Sequence, residues 1–136
     1  MVTTRTREGG CHCGAVRFEA QVPEPLRGGR CNCSICAKKG VVMVHVALDG
    51  LEVTRGADII ATYSFNTGVA KHTFCSVCGV KAFYRPRSNP DGWSVNARCL
   101  DEAEDLELVM VEPFDGRNWE AYAQAHDLSH LSKEPA

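Results

Sequence analysis

Apolar and polar residues alternate over short stretches of this chain, and no long helical period interrupts them. Residues 15–19 read Ala-Val-Arg-Phe-Glu, the alternation of a half-buried strand. Residues 41–48 are β-branched and continuous enough for a buried strand. Residues 59–65 and 69–74 flank Asn66-Thr67-Gly68, which reads as a hairpin turn. Residues 80–84 and 93–99 form a second candidate pair, joined by 85–92, whose Pro, Asn, Asp and Gly have loop chemistry. Residues 106–111 read as a last strand, and 118–125 have the propensity for a short terminal helix. Many short strands and almost no helix predict a mainly β, mainly antiparallel domain.

Length and charge narrow the picture. A chain of 136 residues fits one domain with a modest core. The net charge of -2 lacks the basic surplus of a phosphate-reading protein, so no nucleic-acid partner is expected. The longest apolar run, 41–44, is far too short to span a membrane, and none is expected as a partner. Residues 1–8 hold no apolar signal segment, so a cytoplasmic location is expected.

Cysteine changes the picture most. There are eight, at Cys11, Cys13, Cys31, Cys33, Cys36, Cys75, Cys78 and Cys99. In a reducing compartment they point to metal or catalysis before disulfides. Cys11-x-Cys13 and Cys31-x-Cys33 leave little chain for a bridge within each pair, yet suit a shared ion. Cys33-Ser34-Ile35-Cys36 and Cys75-Ser76-Val77-Cys78 are nearly the same tetrapeptide, and both read as zinc knuckles. Gly79 can take the positive φ that such a turn needs.

Seven of these cysteines divide into four and three. A structural zinc takes four ligands, whereas a reactive one keeps a position open. Cys31, Cys33 and Cys36 form a compact tripod, leaving Cys11 and Cys13 to pair with Cys75 and Cys78 across about sixty residues. Two Zn²⁺ per chain are expected, the second partly occupied. In the alternative reading His12, His45 or His72 closes the tripod. Cys99 sits in a strand pattern and is expected to pack as a small apolar side chain.

A zinc held by three thiolates is a weak Lewis acid, so plain hydrolysis is disfavoured. Its soft donor set suits a substrate thiol as fourth ligand, held in its nucleophilic thiolate form. That thiolate can add to an aldehyde carbon, or leave it in reverse. Arg30, Lys38 and Lys39 are candidates to offset the negative cluster and receive substrate carboxylates, or are simply solvated surface charges.

Four ordered stretches resemble one family. They are Gly10-Cys11-His12-Cys13-Gly14-Ala15-Val16, Cys31-Asn32-Cys33-Ser34-Ile35-Cys36, Phe74-Cys75-Ser76-Val77-Cys78-Gly79 and Asn96-Ala97-Arg98-Cys99-Leu100-Asp101. Together they resemble the glutathione-dependent formaldehyde-activating enzyme family, which shares its domain with centromere protein V. The resemblance runs from about Gly9 to Phe114. It implies an Mss4-like fold, several small antiparallel sheets around zinc, in a single zinc-binding domain over 1–136 with a core of about 9–114 and a tail of 115–136. It implies a structural site at Cys11, Cys13, Cys75 and Cys78 and an activity-linked site at Cys31, Cys33 and Cys36. The implied activity is that of a carbon–sulfur lyase joining glutathione and formaldehyde as S-hydroxymethylglutathione. The other class left open is a non-catalytic zinc module that binds a partner.

Overall fold

The structure, a computed structural model, describes residues 3–65, 67–87, 91–103, 108–110 and 115–125. Its frame is a set of small sheets. The first joins β1 (Thr4–Gly10), β2 (Arg17–Pro23) and β5 (Leu51–Arg55) in the order β1-β2-β5, all antiparallel. The strand expected at 15–19 begins only at Arg17 and runs on to Pro23; within it Phe18, Ala20 and Val22 turn inward, and the residues between them face outward or are half-buried. β1 is polar and mostly exposed. It is held as a strand by its full register with β2, from Thr4 opposite Pro23 to Gly10 opposite Arg17.

The second sheet places β9 (Gly92–Asn96) between β4 (Met43–Ala47) and β8 (Phe83–Tyr84). The expected pair is present, and Met43–Ala47 of the run at 41–48 supplies the other neighbour of β9; it is not buried throughout as expected, since Met43, Val44 and Val46 are buried but His45 and Ala47 are exposed. Leu48 departs from that run and opens a short 3₁₀ turn. The expected hairpin is also present: β6 (Ile60–Tyr63) pairs antiparallel with β7 (His72–Cys75), Tyr63 opposite His72. The connection between them is longer than the expected three-residue turn. A further pair, β3 (Leu26–Gly28) with β10 (Leu108–Met110), is parallel, an exception to the antiparallel expectation. Asn66, residues 88–90, and Leu106, Glu107 and Val111 of the expected last strand lie outside the described residues.

Helix is confined to short pieces. α1 (Ser34–Lys39) replaces the bare knuckle expected at 33–36, and α2 (Trp119–Ala125) is the expected terminal helix. The core forms where β2 faces the β4-β9-β8 sheet. Val16, Phe18, Val22, Val44, Phe83 and Val95 are almost fully buried in one cluster. Phe18 meets Phe83 edge to face, with ring centroids 5.6 Å apart. No helix among the described residues is long and apolar enough to cross a membrane.

Because Phe18 is 1% exposed and bridges the two sheets, Phe18→Ala should cost about 3–5 kcal/mol of unfolding free energy. Denaturant titration of the metal-saturated protein measures it. A loss below about 1 kcal/mol, the scale of a surface change, would contradict this core.

Candidate metal centre

The turn between β1 and β2 carries Cys11 and Cys13, and the end of β7 delivers Cys75 and Cys78. Their four Sγ atoms lie within 4.8 Å of one another. Cys11 Sγ is 3.6 Å from Cys13 Sγ, which is 3.7 Å from Cys75 Sγ. Four sulfurs at the zinc–sulfur bond length around one tetrahedral centre stand about 3.8 Å apart. A disulfide needs a separation of about 2 Å, and all eight cysteines are free of one. These distances fit a zinc ion.

Backbone amides complete the group. Val16 N–H donates to Cys11 Sγ at 3.3 Å, and Val77 and Cys78 N–H both approach Cys75 Sγ. Such donors stabilise thiolates and orient them. Gly79 takes the expected left-handed conformation, φ 79°, and its N–H donates to the Cys75 carbonyl. The group ties residues 62 positions apart.

Cys31, Cys33 and Cys36 form the second group, again within 4.8 Å. Cys33 caps the N-terminus of α1, its sulfur accepting from Cys36 N–H at 3.4 Å, while Cys33 N–H donates to Cys31 Sγ at 3.4 Å. Cys36 points inward from the helix and is buried, with its sulfur 4.0 Å from the Tyr84 hydroxyl. The three sulfurs compete for protons. Hydrogen bonds from Cys31 and then Cys36 pull the Cys33 thiol down to about 2, and the contact with Cys33 pushes Cys31 far above the usual thiol range. Three sulfurs at this spacing offer a metal site, and the soft donors suit zinc.

No histidine nitrogen or carboxylate oxygen joins either group among the described residues. His12 is exposed, His45 Nδ1 faces Ser94 Oγ at 3.3 Å, and His72 Nδ1 faces Lys81 Nζ at 2.6 Å. The closed tripod weighed from sequence is therefore not formed by these side chains. Cys99 packs against the core, its S–H directed to the Lys81 carbonyl.

The tripod opens on a cavity of about 640 Å³. Ile35, Met43, Phe65, Tyr84 and Trp119 supply apolar wall, and His72, Arg87 and Arg117 supply polar groups. Residues 116–121, expected as tail, form one side of it. Asn32, between two tripod cysteines, holds them there: its amide donates to Asp115 Oδ1 at 2.8 Å and accepts from Arg117 N–H at 2.8 Å. Gly116 lies so close that a Cβ there would stand 2.5 Å from Cys31 Sγ. Arg87 lies 4.4 Å over the Trp119 ring and 3.1 Å from Glu120.

The cations differ from those expected. Arg30, Lys38 and Lys39 are exposed and do not line the cavity. Lys38 and Lys39 fall in the last turn of α1, beyond the cysteine it presents, and Lys39 instead lies over Phe74. Sequence reasoning missed Lys81, which is 3% exposed with its ammonium 3.7 Å from the Tyr84 ring centre. No carboxylate pairs with it among the described residues. Burial pushes Lys81 down to about 8, against the upward pull of Cys36, Cys33 and Cys31. Lysine is a residue type almost never fully buried, so nothing in the sequence around Lys81 marks it, and its burial is known only from the fold.

Two substitutions separate the groups. Cys78→Ser should lower the zinc content and unfold or aggregate the protein, because metal binding there closes a long loop; a soluble variant with full zinc and an unchanged melting temperature would contradict this. Gly116→Ala should leave that group intact and loosen the tripod, so that a mild chelator removes about one metal per chain more readily than from the parent. Identical chelation curves for variant and parent would show that the 115–117 turn does not press on Cys31.

Comparison with known proteins agrees with this geometry. A protein of Halomonas elongata, whose name provisionally makes it a glutathione-dependent formaldehyde-activating enzyme, is 38% identical over 79 residues, 52% of this chain and 50% of that protein. The chain thus spans about half the length of that relative. The crystal structure of a Rhodobacter sphaeroides protein superposes with a TM-score of 0.66 at 34% identity, covering 75% of this chain and 99% of that one. The sequence model of the glutathione-dependent formaldehyde-activating enzyme family matches residues 6–114, most of the chain, and the protein belongs to that family.

Proposed function

We propose that this protein is a zinc-dependent carbon–sulfur lyase that joins or separates a glutathione-type thiol and formaldehyde or another small aldehyde. The observation that carries the reading is the tripod of Cys31, Cys33 and Cys36, three sulfurs with no fourth protein ligand among the described residues, at the wall of a large cavity. A zinc ion held there would supply a soft Lewis acid that keeps a substrate thiol deprotonated. Cys11, Cys13, Cys75 and Cys78 hold the structural zinc in this reading, within one zinc-binding domain working in a reducing, cytoplasmic setting.

The chain's own residues do the rest. Arg117 places positive charge at the cavity and Arg87 lies there paired with Glu120, and a peptide-like thiol would bring its carboxylates to these groups. The apolar wall sheds water around the reacting atoms, which strengthens each polar contact made there. Asn32 and Gly116 keep the wall against the cysteines and so fix the distance between substrate and tripod.

With cobalt in place of zinc, glutathione should perturb the visible spectrum of the tripod metal. Cys33→Ser should abolish that change and leave the four-sulfur signal in place. The parent should also speed hemithioacetal formation and breakdown beyond the spontaneous rate, which is itself appreciable. A metallated tripod whose spectrum ignores every thiol tried would end the lyase reading in favour of a non-catalytic binding module.

A further inference from the structure

His72 begins β7 and is 3% exposed, yet it lines the cavity beside the tripod. Three contacts fix its ring. Phe65 stacks on it at 5.7 Å between centroids and Tyr84 at 5.5 Å, nearly parallel in both cases. Lys81 Nζ meets its Nδ1 at 2.6 Å. The turn through Cys75–Val80 brings these two together: Cys75 N–H donates to the Val80 carbonyl, so the chain folds back along β7 and delivers Lys81 next to His72.

An ammonium can only donate hydrogen bonds. Burial lowers Lys81 to about 8, still above neutral pH, and the tripod sulfurs act against that fall. Nδ1 of His72 is therefore the acceptor, and in the neutral ring the proton sits on Nε2. Burial, and then the Lys81 charge, push His72 down to about 4, so the ring stays neutral near pH 7. Phe65 and Tyr84 stack on the ring and Lys81 takes Nδ1, so Nε2–H is the ring's remaining polar position, and the ring lines the cavity.

We propose that His72 is a catalytic hydrogen-bond donor to the aldehyde-derived oxygen of the substrate, and that Lys81 is the positioning residue that fixes its tautomer. The assignment rests on the lyase reading above. In adduct formation a lone pair of the substrate sulfur makes the carbon–sulfur bond and the carbonyl π pair moves to oxygen. That oxygen takes a proton from solvent water at the cavity mouth. His72 donates to the oxygen as its charge grows and keeps its own proton throughout. In breakdown the hydroxyl proton returns to water, the carbonyl re-forms and the carbon–sulfur pair returns to sulfur. A neutral imidazole whose tautomer is fixed by a neighbour can polarise a carbonyl in this way. His72 thus deals with the oxygen of the adduct while the tripod deals with its sulfur.

The test has two readouts on the metal-loaded protein. Long-range ¹H–¹⁵N NMR of the parent should show His72 as the Nε2–H tautomer, and Lys81→Met should convert it to a tautomer mixture. His72→Phe, which keeps the stacking, should retain the glutathione-induced change in the cobalt spectrum. It should also slow the catalysed breakdown of S-hydroxymethylglutathione by about 10²-fold, the scale of losing one such donor. His72→Gln, which restores an N–H at a similar reach, should recover part of that loss. An Nδ1–H tautomer in the parent, or a His72→Phe protein with full catalysed rate, would overturn the proposal and leave the lyase reading standing. A parent whose cobalt spectrum ignores glutathione would bring down the lyase reading and this assignment with it.

Discussion

Seven sulfurs gathered into two small groups are the constraint on which the rest of this structure depends. Thiolates within 4.8 Å of one another repel, and hydrogen bonding among them lets only part of a group ionise. A divalent cation removes that conflict. The strands around the groups are short, from two to seven residues, and the sheets have two or three strands. Sheets of that size have little independent stability. The four-sulfur group joins the turn after β1 to the end of β7 and so fastens two of these sheets together. In small domains of this kind, metal binding free energy is folding free energy.

The two groups differ in what surrounds them. Around Cys11, Cys13, Cys75 and Cys78 the protein supplies four sulfurs and backbone donors, a complete coordination set. Around Cys31, Cys33 and Cys36 it supplies three sulfurs, a buried ammonium and a cavity. Charge makes the contrast functional. Three thiolates and a divalent ion sum to −1, and an incoming thiolate makes the site still more negative. Lys81 is the buried positive charge within reach of that total, held over Tyr84 and against His72. Burying a cation with no carboxylate is costly unless an anion stands nearby, and the tripod is that anion.

Much of this was legible in the sequence, for identifiable reasons. The cysteine motifs announced both groups because metal geometry restricts ligand spacing. β2, β4, β7 and the β8–β9 pair announced themselves because each buries one face or both. Other parts carried no such signal. β1 reads Thr-Arg-Thr-Arg-Glu-Gly-Gly, and only its pairing with β2 makes it a strand. The parallel contact of β3 with β10 joins Leu26 to Leu108, 82 positions apart in sequence, and that register is known only in the fold. Lys81 and His72 each looked ordinary alone, and only the chain reversal after Cys75 sets one against the other. The segment after residue 114 looked like tail because its anchors are scattered polar and ring contacts, from Asn32 to Asp115 and Arg117 and from Arg87 to Trp119 and Glu120, with Gly116 set against a sulfur.

Anomalous diffraction at the zinc edge, from crystals grown with glutathione, tests the division of the cysteines most directly. The account predicts two zinc peaks per chain. One should be bound by Cys11, Cys13, Cys75 and Cys78, and the other by Cys31, Cys33 and Cys36 with the glutathione sulfur as fourth neighbour. A single peak, or a tripod zinc whose fourth ligand is a protein side chain, would contradict it.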